Sequence, residues 1–371
     1  MRLAIIRKRF DPHGGAERFI LTAAGALISA GESVTVIAED WAGGDAPGLK
    51  RQQVARGGFT RAGRNRHFQR AVGDLIAEGG FDLVQSHERL VGADIFRAGD
   101  GVHAAWVDRL GRERGPLGAL ALKFDPMHRL VMDTERRMVA DGRTLFVANS
   151  ELVADELRTW LKVPEQRLRV IENGVDFDRF RPASAEEKAA ARQSFGLPEG
   201  VPVIAFVGSG FERKGAFKLV EALRAPSLAD AHLLIAGRDR KAKVLAERID
   251  RLGLAKRIRL LGGLDDVSPV YTAADLFALP SLYDPMPNAA LEALASGLPA
   301  VVTPDTGIAS HIAATGAGAV ASRDADDLSA ALATVIADLP ARADKAQTLA
   351  TRFDLTAATN RWQELYCDLY T

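Results

Sequence analysis

The feature that most limits how this chain can fold is a repeated alternation of short apolar runs, rich in β-branched residues, with longer amphipathic stretches. Residues 3–7, 33–38, 81–85, 145–148 and 168–171 read as buried parallel strands, as do 203–207, 233–236, 258–261, 276–279 and 300–303. Between them, residues 18–30, 151–161, 216–223, 241–252 and 326–337 carry apolar side chains at helical spacing. Alternation of this kind predicts an α/β fold of doubly wound parallel sheets with helices on both faces.

The pattern starts afresh once. Glu172-Asn173-Gly174-Val175 is followed by a polar segment, about 179–200, that contains Pro182, Gly196 and Pro198. Residues 201–207 then open a second run of strands, so the boundary is expected near 175–200. The expected division is an N-terminal Rossmann-like domain, 1–175, and a C-terminal one, 176–371. A length of 371 residues agrees with two domains at a prior of about 150 each. Residues 355–370 read as a long closing helix. Ligands of doubly wound sheets bind at the carboxyl ends of the strands, so two facing domains would place a site in the cleft between them.

Composition excludes several other classes. Hydrophobic residues are 47% and charged residues 26%, which is ordinary globular usage and neither collagen-like nor disordered. The single cysteine, Cys367, can form neither an internal disulfide nor a cysteine metal site, which fits a reducing, cytoplasmic compartment. The apolar run 3–6 runs into Arg7-Lys8-Arg9 rather than a cleavage site, and no stretch approaches the roughly 18 apolar residues of a spanning helix. Membrane contact is therefore expected only at the surface. The 48 basic and 48 acidic residues cancel, which makes nucleic acid a poor partner. Residues 51–70 nevertheless hold Arg51, Arg56, Arg61, Arg64, Arg66 and Arg70 with no acid, either a solvated face or a patch for an anionic surface.

Three segments carry candidate chemistry. Gly14-Gly15, between the first strand and the first helix, would let a ligand approach the backbone, with the helix start favouring an anion; a plain tight turn is the alternative. Arg213-Lys214-Gly215 follows the first strand of the second half, where cations at the start of a helix oppose its dipole by about 0.3–1 kcal/mol each. A bound diphosphate would offset that cost; pairing with Glu212 or a remote acid would too. Third, Pro287 suits a first helical turn that ends near Gly297 and Pro299, with Leu291, Leu294, Ala295 and Leu298 as the apolar stripe. Glu292 is the only charged residue from Pro285 to Pro304 and lies one turn beyond Asn288. Its two oxygens match the paired hydroxyls of a ribose; a structural arginine partner is the alternative. Asp284 precedes the helix and would lie nearer the anion.

Gly14-Gly15-Ala16-Glu17-Arg18, Arg213-Lys214-Gly215 and the acid-x7-acid motif Asp284…Glu292, in this order and spacing, resemble retaining glycosyltransferases of family 4. Asp265-Asp266-Val267-Ser268 and Ala295-Ser296-Gly297-Leu298-Pro299 add to the likeness, which spans essentially the whole chain and leans toward enzymes of lipopolysaccharide core synthesis. The resemblance implies the two-domain GT-B architecture, with the last helix crossing back onto the first domain. It also implies a nucleotide-diphosphate sugar as donor, with Arg213 and Lys214 on the diphosphate, Glu292 on the ribose and Asp284 on sugar hydroxyls. Gly14 and Gly15 would approach the phosphate, and Asp100 matches an acid on the acceptor side. His103 lies near Asp100 without an assigned role. The chain departs from the family pattern at Asp284, usually Glu, and at Pro287, often Gly. Proline removes one amide donor and leaves those of Met286, Asn288 and Ala289. Arg238, after the strand ending near Gly237, is a further candidate for the nucleotide.

The implied reaction is hexose transfer with retained anomeric configuration to a glycan or glycolipid of the cell envelope. No metal or other cofactor is expected, since two cations neutralise the leaving diphosphate. Asp324-Ala325-Asp326 reads as a helix cap rather than a metal motif. Arg109, Arg112, Arg114 and Lys123, with residues 51–70, would hold an anionic glycolipid at the inner face of the membrane. The alternatives are a nucleotide-sugar epimerase of similar architecture and a non-catalytic nucleotide-sugar-binding protein.

Overall fold

The computed structural model describes residues 1–10, 24–41 and 48–370. It divides into two compact units, Met1–Asn173 with Thr356–Thr371, and Gly174–Leu355.

The first unit carries β1 (Arg2–Ile6), β2 (Arg9–Phe10), β3 (Ser33–Ala38), β4 (Asp40–Trp41), β5 (Lys50–Gln53), β6 (Leu83–Ser86), β7 (Ile95–Ala98), β8 (Leu145–Ala148) and β9 (Leu168–Val170). Seven of them form a parallel sheet in the order β5-β3-β1-β6-β7-β8-β9, while β2 and β4 pair separately. The chain winds outward from β1 to β5, then returns to the other side of β1, where Leu3 registers with Leu83 and Ile6 with Ser86. Both faces are covered, so β1 is apolar at every position after Arg2. Leu3 and Ile5 pack on one face with Trp362 and Tyr366 of the closing helix, Leu355–Tyr370. Ala4 and Ile6 pack on the other with Phe68 and Val72 of the helix Arg61–Ala77.

The second unit carries β10 (Val203–Val207), β11 (His232–Ala236), β12 (Ile258–Gly262), β13 (Leu276–Leu279), β14 (Ala300–Val302) and β15 (Gly318–Val320). Their order is β12-β11-β10-β13-β14-β15, all parallel, around a single continuous apolar core. The winding reverses between β10 and β13, where Ile204 registers with Leu276. Reversal points of this kind open a crevice at the strand carboxyl ends.

Besides the two-residue β2 and β4, three strands were not expected. β5 (Lys-Arg-Gln-Gln) has no apolar residue because it is the edge of its sheet, β7 follows the loop Gly92-Ala93-Asp94, and β15 is three residues opening on glycine. The arginine-rich run 51–70 accordingly spans the end of an edge strand and the start of the helix Arg61–Ala77.

Trp362 is almost fully buried, and among the described residues the core of the second unit contains none from the closing helix. Trp362→Ala is expected to remove about 3–5 kcal/mol from the first unit. Urea unfolding followed by domain-specific probes would show that transition move while the transition of the second unit stays in place.

Candidate active site

After β10 the chain passes Gly208-Ser209-Gly210 into a one-turn helix, Phe211–Lys214, then Gly215, then the helix Ala216–Ala222. Gly215 has φ 85°, and a Cβ there would lie 2.0 Å from the Pro280 carbonyl oxygen, so only glycine allows this approach. The approach brings the loop after β10 against the loop after β13. Lys214 Nζ donates to Asp284 Oδ2, and both side chains are largely buried, at 14% and 8% exposure. Arg213 Nη1 donates to the Tyr283 carbonyl at 3.0 Å and lies 4.0 Å from Asp284 Oδ2, its side chain 41% exposed. The Leu282 N–H donates back to the Arg213 carbonyl at 2.7 Å.

Neighbouring loops hold this junction. The Asp284 N–H donates to the Asp305 carbonyl at 3.0 Å and the Gly307 N–H to the Asp284 carbonyl at 2.9 Å. Arg323 spans the two loops, donating to the Glu212 carbonyl at 3.0 Å and to the Pro280 carbonyl at 3.2 Å. Asp239, after β11, accepts the N–H of Phe211 at 2.8 Å and that of Lys241 at 2.7 Å, so it caps the one-turn helix from another loop. Burial works against its charge, but the amide hydrogens of Lys241, Phe211 and Gly210 prevail and hold the carboxyl below its ordinary range.

This differs from the dipole argument made on sequence. Arg213 and Lys214 occupy the last turn of a short helix, where the dipole favours cations, rather than the first turn of the next one. Glu212 pairs with Lys241, and the remote acid that balances Lys214 is Asp284, itself a candidate site residue.

The helix Asn288–Ala295 begins one residue later than expected, with Pro287 outside it as the N-cap and no side-chain cap. Met286 is buried in the core, while Asn288 and Ala289 are half-buried in the first turn. Glu292 is buried and accepts a hydrogen bond from the Tyr271 hydroxyl at 2.9 Å. Arg238 is not drawn into this cluster: its side chain is largely exposed over Gly263, 4.0 Å from Asp265. On the first unit, Asp100 lies two residues beyond β7, exposed and 3.9 Å from the Arg89 guanidinium. Gly14 and Gly15 lie outside the described residues.

A family model described as Glycosyltransferase Family 4 matches residues 13–179, and one described as Glycosyl transferases group 1 matches residues 187–349. The D-inositol 3-phosphate glycosyltransferase of Mycolicibacterium smegmatis is 30% identical over 361 residues, covering 90% of this chain and 81% of the relative. The chain belongs to glycosyltransferase family 4. Lipopolysaccharide glucosyltransferase WaaG of Escherichia coli strain K12 is 27% identical over 328 residues, covering 86% of this chain and 85% of WaaG. The crystal structure of WaaG, a glycosyltransferase involved in lipopolysaccharide biosynthesis, superimposes with a TM-score of 0.85 at 26% identity, over 98% of this chain and 99% of that one. The two doubly wound units are thus those of the GT-B architecture, and the protein is a glycosyltransferase. These matches give the epimerase reading no support.

In this family-4 transferase the supporting residues were harder to read than the motifs. Asp239 stands directly after Arg238, and only the cap it makes reveals it. Arg323 precedes Asp324, which caps the helix Ala325–Ala337 by accepting the N–H of Asp326 and of Asp327. Tyr271 gave no signal. Asp239→Ala removes a cap of the kind that contributes about 0.5–2 kcal/mol. It is expected to raise the donor KM several-fold with a smaller fall in kcat, and steady-state kinetics on the donor would check this.

Proposed function

We propose that this transferase moves a hexose from a nucleotide-diphosphate sugar to a glycan or glycolipid acceptor with retention of configuration, in lipopolysaccharide core or cell-envelope polysaccharide synthesis. The observation that carries the reading is the convergence of Arg213, Lys214 and Asp284 at the carboxyl ends of β10 and β13. The likeness to WaaG supports the acceptor class.

Breaking the sugar–phosphate bond places positive charge on the sugar ring and negative charge on the departing diphosphate. Arg213 and Lys214 stabilise that negative charge as it forms. The departing phosphate oxygen takes the acceptor proton on the same face, which retains configuration without a strong protein base. Asp284 holds sugar hydroxyls, Glu292 the ribose, and the first-turn amides beyond Pro287 the phosphate or sugar. Gly14 and Gly15 approach the phosphate from the first unit, and Asp100 orients the acceptor hydroxyl. In this scheme two cations and helix ends perform the neutralisation, and neither metal nor cofactor is required.

Among the described residues no helix is long and apolar enough to cross a membrane. The reading places the enzyme in the cytoplasm, at the inner face of the membrane, through the helix segment His103–Phe124. That segment breaks at Gly115 (φ 72°), and beyond the break Leu117, Leu120 and Phe124 are exposed beside Arg112, Arg114 and Lys123. Phe59 and the arginines that open the helix Arg61–Ala77 are exposed as well. Exposed apolar side chains among basic ones suit an anionic lipid surface, with about 1 kcal/mol from each basic residue near it. Arg109, grouped with these by sequence, is only 12% exposed, pairs with Glu156 and takes no part, while Arg56 is paired with Asp40 and Arg112 with Asp108.

The test of the reaction is incubation of a panel of nucleotide sugars with cell-envelope glycolipid extract. Acceptor-dependent nucleotide release is expected, unchanged by a chelator, with the donor's anomeric configuration in the product by NMR. Binding without release would favour the non-catalytic reading. Lys214→Ala should cost about 10²–10³ in rate, and full activity in that variant would remove the leaving-group assignment. Vesicles containing anionic lipid should bind the protein, less so at raised salt; equal binding to neutral vesicles would refute the electrostatic contribution.

A further inference from the structure

Asp100 precedes a helix that starts at His103 and is tied to other elements at that start. The helix His103–Phe124 has Val102 at its N-cap, which offers no side-chain acceptor. Two carboxylates from other helices take that role. Glu156 Oε2 accepts the Val102 N–H at 3.2 Å, and Glu135 Oε1 accepts the His103 N–H at 2.9 Å. Both are buried, and each has an arginine, Arg109 at 2.8 Å from Glu156 and Arg89 at 3.0 Å from Glu135. Arg89 also donates to the Gly101 carbonyl at 2.6 Å.

At this helix start His103 Nε2 lies 2.9 Å from Nδ1 of His128, which stands in the first turn of the neighbouring helix, Pro126–Ala140. Asp125 caps that helix, accepting the N–H of Met127 at 2.7 Å and of His128 at 3.2 Å, so the partner ring is itself on a fixed backbone. A hydrogen bond between two rings needs one to donate and the other to accept, so the tautomers of the two rings are coupled, and either arrangement holds the His103 ring in the same orientation. Burial, then the charge of Arg89 and the second ring, pull His103 down to about 3, with Asp125 opposing. Burial also lowers His128, helped by Arg61 and Arg114 and opposed by Asp125. Both rings are therefore neutral near pH 7, and His103 is too weak a base to take a proton there. Its other ring nitrogen, Nδ1, has no hydrogen-bond partner among the described residues.

We propose that His128 is a positioning residue for glycosyl transfer: it holds the His103 imidazole in one orientation, so that Nδ1 is ready to hydrogen-bond a sugar hydroxyl beside Asp100. The inference rests on the reading that the Asp100 loop serves the acceptor side. The role is orientation, not proton transfer.

The test pairs kinetics with ¹⁵N NMR of histidine-labelled full-length protein. In the unaltered protein a nitrogen–nitrogen coupling across the hydrogen bond is expected between His103 Nε2 and His128 Nδ1; its absence would overturn the proposal without any variant. His128→Leu should lower kcat/KM, with glycolipid extract as acceptor, by about tenfold or more. Nucleoside-diphosphate affinity should stay unchanged, the coupling should be lost, and the His103 shifts should move. His128→Asn, which keeps a polar atom near the position of Nδ1, should recover activity to within about threefold and restore the shifts. Unaltered transfer or unaltered His103 shifts in the leucine variant would refute it. Should His103→Leu leave transfer intact while the wild-type ring pair is still seen by NMR, the acceptor-side reading falls and the pair is only structural.

Discussion

Lys214 and Asp284 are 70 residues apart and meet because β10 and β13 are neighbours in a sheet whose winding reverses between them. Everything else at the candidate active site follows from that adjacency. Each strand ends in a loop at the same edge, and the absence of a side chain at Gly215 lets one loop lie directly on Pro280 of the other. A carboxylate and an ammonium this far from water contribute little net stability as a pair, yet removing either leaves an uncompensated charge at considerable cost. Each therefore holds the other in place, which matters more for a site than the stability the pair adds.

The two units use a common device to hold their functional loops. In the second unit, Gly210 precedes the one-turn helix of Arg213 and Lys214 and has no side chain to cap it; Asp239 does so from the loop after β11. In the first, Val102 precedes His103, and Glu135 and Glu156 cap that helix from outside. A residue at its own N-cap can bond only locally, whereas a cap supplied by another element also fixes the distance between the elements. The glycine leaves room beside the cations, and the outside carboxylate restores the hydrogen bonds that the glycine cannot make.

Much of the fold was legible because buried parallel strands carry continuous apolar runs. Residues 33–38, 145–148, 203–207 and 276–279 are strands at the limits their composition suggests. Lys50–Gln53 was not legible, because an edge strand facing water need not be apolar. At the site, the cationic pair, Asp284 and Glu292 could be picked out as charges in otherwise apolar or glycine-rich surroundings. Their partners could not. Nothing local marks Tyr271 as the donor to Glu292, and Asp239 looks like any loop acid until the winding places it under Phe211. Arg109 shows the converse error, since its basic neighbours suggest a surface role that its pairing with the buried Glu156 removes. Local pattern reports burial and spacing; partners far apart in sequence are chosen by strand order.

The unequal exposure of the two cations bears on how an anion would be received. Arg213 is two-fifths exposed and held mainly through a backbone carbonyl, so its remaining donors face solvent at little cost. Lys214 is largely buried and bound to a carboxylate. An arriving diphosphate would meet Arg213 first, and its fixed fork suits bidentate contact with phosphate oxygens. Lys214 would then divide its charge between the newcomer and Asp284, without first crossing from water into the site. Asp284 is one methylene shorter than the glutamate usual at this position of the family, so the lysine it holds lies closer to the Asp284 backbone, which Asp305 and Gly307 clamp. Shortening the acid thus trades reach for a more tightly placed cation, and on the proposed reading a donor sugar would meet a carboxylate already engaged on one side.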